Sequence, residues 1–192
     1  LFHIVMAKVL VFVALCFSML AGFEGDMFAV RPLSKLKTKH TVRQAYEESC
    51  GAAAMATLLR FYGKDTNETE ILGMVGKTDM LSFANLAEIA KSMGYQAQGY
   101  KISREIFEKT KVPLLVLVVR EADFPHFVVV INQSGDFVNV FDPSFGDYIA
   151  SKKDFFSIWE FASGGFALVV LPPEYKTRDF DMNLPPDIFF AR

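Results

Sequence analysis

Cys50 stands between a polar turn, Tyr46-Glu47-Glu48-Ser49, and a run of small and apolar helix formers, Gly51-Ala52-Ala53-Ala54-Met55-Ala56-Thr57-Leu58-Leu59. Gln44 lies six residues upstream. The pattern predicts a thiol in the first turn of a helix, where the partial positive charge of the N-terminus favours thiolate. It also places an amide donor close enough to serve the same reacting atom. Thiolate attack on a carbonyl needs such a donor for the oxyanion, a histidine to carry the proton, and a third group to orient that histidine.

The chain offers one candidate for each role. Beyond the first residues the histidines are His40 and His126. His126 follows Phe124-Pro125 and starts the strand-like run Phe127 to Ile131, while Asp142 ends the next such run in Phe141-Asp142-Pro143-Ser144-Phe145-Gly146. A turn at Gln133-Ser134-Gly135-Asp136 sits roughly midway, so hairpin pairing brings His126 and Asp142 together at its open end. His40 is the rival base, but its Lys- and Thr-rich surroundings suit solvated surface. Each residue alone has a plainer reading. Cys50 would be a small core residue, His126 a satisfied imidazole, Asp142 a turn residue before proline, and Gln44 an ordinary polar side chain. Their joint occurrence in order carries the argument.

The surrounding elements follow from composition. Ser49 is a reasonable N-cap for a helix from Cys50 to Tyr62 that stops at Gly63. Asn67 to Val75 reads as a second helix, with Glu68 and Glu70 in its first turn, and Ser82 to Met93 as a third with Ser82 as cap and Gly94 as terminator. Tyr95 to Ile102 reads as a strand and Ser103 to Lys109 as a helical turn. After Pro113 the period changes: Leu114–Val119, Phe127–Asn132, Phe137–Phe141 and Phe166–Leu171 are strand-length apolar runs. Trp159 falls on a helix face expected to pack on the sheet. Helices followed by strands predict an α+β fold, with the helices that carry the nucleophile packed against an antiparallel sheet.

At 192 residues, 52% of them apolar and 22% charged, the chain suits one compact domain rather than a disordered segment. A net charge of -2 without a basic block excludes electrostatic capture of nucleic acid. Met-Ala-Lys from Met6, then apolar Val9 to Ala21, reads as a secretory signal or uncleaved anchor over residues 1–25, the expected contact with a membrane. The domain is expected over residues 26–171, and a Pro-containing tail over 172–192. Cys16 falls in the signal, leaving Cys50 as the mature chain's one thiol. In an exported protein a lone thiol is worth notice. One cysteine and two separated histidines make a poor metal set, and nothing requires a cofactor.

Gln44, five intervening residues, Cys50-Gly51 and an alanine-rich helix resemble the C39 peptidase family of papain-like cysteine peptidases. His126-Phe127-Val128-Val129 and Asp142-Pro143 are similar to that family's later motifs, and the similarity spans about residues 40 to 171. The resemblance implies Cys50 as nucleophile, His126 as general base and acid, Asp142 as its orienting partner, and Gln44 in the oxyanion hole. Ser49 departs from the aspartate common before the cysteine. Familiar members precede ATP-driven exporters and cut leaders after a double glycine, but this chain has no Walker motif. It resembles the stand-alone exported type that accompanies surface-fibre and functional-amyloid secretion in Gram-negative bacteria. The resemblance therefore implies a periplasmic or envelope enzyme acting on an exported fibre or leader-bearing polypeptide. An amidase or acyltransferase using the same thioester, or a non-catalytic module that binds such a polypeptide, are the alternatives.

Overall fold

The computed structural model describes residues 40–76, 80–120, 125–160 and 162–175. The expected signal segment, Cys16 and most of the expected tail lie outside the described residues.

A 3-10 turn, Glu47–Ser49, leads directly into α1, Cys50–Phe61. Ser49 does not cap this helix with its side chain. Its Oγ instead donates to the Tyr46 carbonyl at 2.7 Å and accepts from the Tyr46 N–H at 3.2 Å. The extra turn moves the chain reversal back to Tyr46 and draws the hydroxyl inward. α1 ends where Gly63 takes φ 86, a left-handed conformation that terminates helices readily in glycine. α2, Glu68–Val75, starts at Asn67, whose side chain accepts from the Glu70 N–H. α3, Phe83–Ser92, starts at Ser82, whose side chain accepts from the Asn85 N–H.

The remaining elements are β1 (Gln96–Ile102), α4 (Arg104–Lys109), β2 (Leu114–Val119), β3 (Pro125–Ser134), β4 (Phe137–Asp142), β5 (Gly146–Ser151), α5 (Lys152–Trp159) and β6 (Gly165–Leu171). The strands form one antiparallel sheet in the order β1-β6-β2-β3-β4-β5. β5 carries no apolar run that would announce it. At the sheet edge only Gly146 is buried; Ile149 is exposed and the other residues are half-buried.

Both faces of the sheet are covered, which explains why the central strands read as continuous apolar runs. One face packs on α1 to α3, with Leu115, Phe127, Val129, Ile131, Phe141, Leu168 and Val170 in the same buried cluster as Met55, Leu58 and Leu59. The other face packs under α4 and α5, where Val116, Val128, Val130, Val138 and Val140 meet Phe107, Phe155 and Trp159. The helix bearing Trp159 thus packs on the sheet, on the side opposite α1.

Pairing of β3 with β4 changes phase once. Near the turn Asn132 faces Asn139, while farther out Val130 faces Val140 and Val129 faces Phe141, leaving Ile131 as an extra residue. Such a bulge shifts the alternation of one strand by a single step. With the extra residue, continuing the register sets Asp142 opposite Val128, a diagonal neighbour of His126 on the same face. Without it, Asp142 would face Val129 and His126 would point to the other side.

The approach of α1 to β3 depends on Gly51. A Cβ there would lie 3.2 Å from Phe127 Cδ2 and 3.4 Å from Leu81 Cβ. In Gly51→Ala the gain in helix propensity, about 1 kcal/mol, offsets much of this crowding. The expected result is a stability change below about 1 kcal/mol but roughly tenfold slower Cys50 alkylation, because α1 is displaced from the strand carrying His126. Iodoacetamide kinetics beside a melting curve check both halves.

Candidate active site

The N-terminus of α1 delivers Cys50, buried with 2% exposure, to the end of β3. Cys50 is a free thiol and forms a hydrogen bond with the His126 side chain. His126 Nε2 lies 2.8 Å from Asp142 Oδ1. With Nε2 turned to the carboxylate, Nδ1 is the ring nitrogen left for the thiol. Cys50, His126 and Asp142 are therefore in one contiguous chain of contacts.

Asp142 is fully buried, and every oxygen is occupied. Oδ1 also accepts the N–H groups of Ser144 at 2.8 Å and Phe145 at 3.2 Å, an arrangement that the Asp-Pro turn closes locally. Oδ2 accepts Arg120 Nη2 at 3.1 Å. Arg120 follows β2, donates to the Tyr148 hydroxyl at 2.7 Å, and sets its guanidinium 4.6 Å from the Phe145 ring centre. Sequence reasoning passed over Arg120. Its signal was position: a charged residue directly after Leu114–Val119, whose last residue pairs with Pro125 beside His126.

These contacts set the electrostatics. Burial alone would lower the His126 pKa, but the hydrogen bonds to Asp142 and Cys50 and the negative charge of both outweigh it and push the pKa up to about 9. Burial likewise opposes the Asp142 charge, yet His126, the Ser144 N–H and Arg120 hold its carboxyl below the usual range. Because the folded His126 pKa exceeds 6.5, its stabilising contribution is full below pH 6.5 and is lost as pH rises through about 9. In Asp142→Asn the His126 titration is expected to move well below 9, since the leading upward influence is gone. Ring-nitrogen NMR of His126 across pH 5 to about 10 checks this; a midpoint still near 9 in the variant contradicts it.

Gln44 also reaches this end of the molecule. Its backbone N–H donates to the Pro143 carbonyl at 3.1 Å, and its Oε1 accepts from Ser144 Oγ at 3.0 Å. Its Nε2 lies 2.9 Å from the Tyr46 carbonyl and 3.2 Å from that of Glu47, on the turn leading into Cys50. Buried Glu68 holds the same loop by accepting the Ala45 N–H at 3.0 Å with both oxygens. Its place in the first turn of α2 had suggested only a favourable charge at a helix start.

His40 is exposed and remote in role from this chain of contacts. Its N–H donates to Asp147, its ring packs beside Phe61 and Phe141, and the Thr41 hydroxyl bonds to Asp147 as well. Among the described residues no cluster of three His, Cys, Asp or Glu side chains gathers as for a metal ion.

A family model for peptidase C39 matches residues 38–174. The chain belongs to the peptidase C39 family. This C39 peptidase is 32% identical over 165 residues to the probable functional amyloid protease FapD of Pseudomonas fluorescens, covering 81% of this chain and 71% of that protein. The Pseudomonas aeruginosa protein of the same description is 31% identical over 174 residues, 85% of this chain and 74% of its own. Among solved structures, a double glycine motif protease from an AMS/PCAT transporter, bound to a leader peptide, is 26% identical. It superposes with a TM-score of 0.58 over 69% of this chain and 90% of that one. The peptidase domain of Streptococcus ComA shares the fold, with a TM-score of 0.62 at 22% identity over 69% of this chain and 98% of that one. The C39 chain is thus a cysteine peptidase with a papain-like α+β fold. No helix among the described residues is long and apolar enough to cross a membrane.

Proposed function

We propose that this C39 peptidase is exported and cuts a peptide bond in a secreted polypeptide, using Cys50, His126, Asp142 and Gln44. The observation that carries the reading is the contact chain from the Cys50 thiol through His126 to fully buried Asp142. Burial opposes the His126 charge, yet its contacts with Asp142 and Cys50 push its pKa up to about 9, so the imidazole keeps its proton at neutral pH.

In the reaction, Cys50 Sγ attacks the peptide carbonyl carbon and the carbonyl electrons move to oxygen. The Cys50 N–H and Gln44 Nε2 donate to that oxyanion. Nε2 carries two hydrogens and bonds the adjacent Tyr46 and Glu47 carbonyls, so donating to the oxyanion exchanges one of these bonds for it. Collapse breaks the C–N bond as His126 protonates the leaving amine. Water, deprotonated by His126, then attacks the thioester; the acid product leaves and Cys50 returns to thiolate. Asp142 holds the ring orientation throughout.

The substrate class draws support from the relatives: two described as probable functional amyloid proteases, and a homologous domain bound to a leader peptide. The apolar run Val9 to Ala21 after Lys8 supports export to the periplasm or cell envelope, as signal or anchor over residues 1–25. The domain would then run from residue 26 to 171, with a tail to 192. The test is incubation of the purified chain with a polypeptide bearing a double-glycine leader, read by mass spectrometry. Two fragments whose masses sum to substrate plus one water support a peptidase acting on such a chain. An acylated amine product would establish transfer instead, and binding without any covalent change would establish a non-catalytic module.

A further inference from the structure

The turn after Asp142 touches both halves of the site, and Ser144 is where they meet. Its N–H donates to Asp142 Oδ1, and its hydroxyl donates to Gln44 Oε1 at 3.0 Å. On either side of that bond the segments are tied again: Gln44 N–H to the Pro143 carbonyl at 3.1 Å, and Arg43 Nη2 to the Ser144 carbonyl at 3.0 Å. The backbone is thus fixed without the hydroxyl. The hydroxyl has a different task. A primary amide is nearly symmetric in shape, so its orientation is decided by its partners. A donor at Oε1 and two carbonyls facing Nε2 permit one orientation, with the N–H groups on the side of the turn that enters Cys50.

We infer that Ser144 is a positioning residue that aims the Gln44 amide at the oxyanion, separately from the support its backbone gives Asp142. The inference rests on the reading of Gln44 above. It makes Ser144 matter to steps that build negative charge on a carbonyl oxygen and irrelevant to steps that use the thiolate alone. Two probes separate these. Iodoacetamide alkylates Sγ with displacement of iodide and forms no oxyanion. With 4-nitrophenyl acetate, Sγ attacks the carbonyl, the oxyanion collapses, 4-nitrophenolate leaves, and an acetyl thioester remains.

The experiment compares both second-order rates in the full chain, after subtracting the Cys50→Ala background, for Ser144→Ala, Ser144→Thr, Gln44→Ala and Gln44→Ala with Ser144→Ala. In Ser144→Ala the acylation-to-alkylation ratio is expected to fall about 3- to 10-fold, the worth of one neutral hydrogen bond, with the alkylation rate unchanged. Ser144→Thr, which keeps the hydroxyl, restores the ratio. The double variant is no lower than Gln44→Ala, because the hydroxyl acts through that amide. An unchanged ratio in Ser144→Ala, equal falls in both rates, or additive losses in the double variant would overturn the inference. If Gln44→Ala itself leaves the ratio unchanged, the oxyanion role of Gln44 fails, and that outcome is distinct from failure of Ser144 alone.

Discussion

Cys50→Ala is expected to lower peptide cleavage by at least about 10⁴-fold, because nothing else can form the acyl-enzyme. Water attack assisted by His126 is the remaining route, and it lacks a nucleophile held against the carbonyl. The fold should survive. Alanine suits the first turn of α1 better than cysteine does, and the buried Sγ leaves a space small enough that stability changes by about 1 kcal/mol or less. The variant carries a second signature. Cys50 is one of the groups that raise the His126 pKa, so that pKa should fall from about 9 while the Asp142 contact persists. Circular dichroism, cleavage assays and a His126 titration on one preparation check the three parts. Retained turnover would remove Cys50 from the mechanism, and an unmoved His126 titration would contradict the influence of Cys50 on that imidazole.

Gly165→Ala is expected to have the largest effect on stability, although it lies on the face away from Cys50. A Cβ at Gly165 would sit 2.0 Å from Trp159 Cε2 and 2.3 Å from Cδ2. The indole cannot move aside. It is 2% exposed, stacks on Phe155, contacts Phe107 and Phe156, and donates from Nε1 to the Phe166 carbonyl at 3.2 Å. Accommodating the methyl means shifting α5 off β6 or breaking that hydrogen bond within a packed aromatic cluster. Either costs about 3 kcal/mol or more, so the melting temperature should drop by roughly 10 °C or the domain should fail to fold. Trp159 is the one tryptophan of the chain, so its fluorescence reports the rearrangement directly. A drop of less than about 2 °C would mean the cluster is looser than the contacts indicate.

The residues that proved readable in sequence are those whose local chemistry fixes them. Ser82 caps the helix it was expected to cap, the helical segments read from Asn67 and Ser103 form with those two residues as caps, and Leu114–Val119 is a strand because its apolar run spans a sheet covered on both faces. His126 and Asp142 were legible as a pair because a turn with Gly135 at φ 50 lies between two such runs. Where tertiary contacts decide, the reading stopped. Ser49 suits an N-cap in isolation, but the preceding 3-10 turn redirects its hydroxyl to Tyr46. β5 is half exposed and held by pairing with β4, so no periodicity marks it. Arg120 and Ser144 join the site through partners 22 and 100 residues away, a distance that no local pattern encodes. Glu68 is buried by the loop it holds.

The extra residue at Ile131 also bears on how faithfully the protein reaches an active state. Ile131 is itself buried against α1 to α3, and the same phase change that aligns His126 with Asp142 sends Val128 and Val130 into the opposite layer. A slipped pairing that separated the histidine from the carboxylate would therefore also turn these valines toward the wrong helices. Well-packed molecules that lack this contact are thereby disfavoured: the population that completes its core is the population in which His126 meets Asp142.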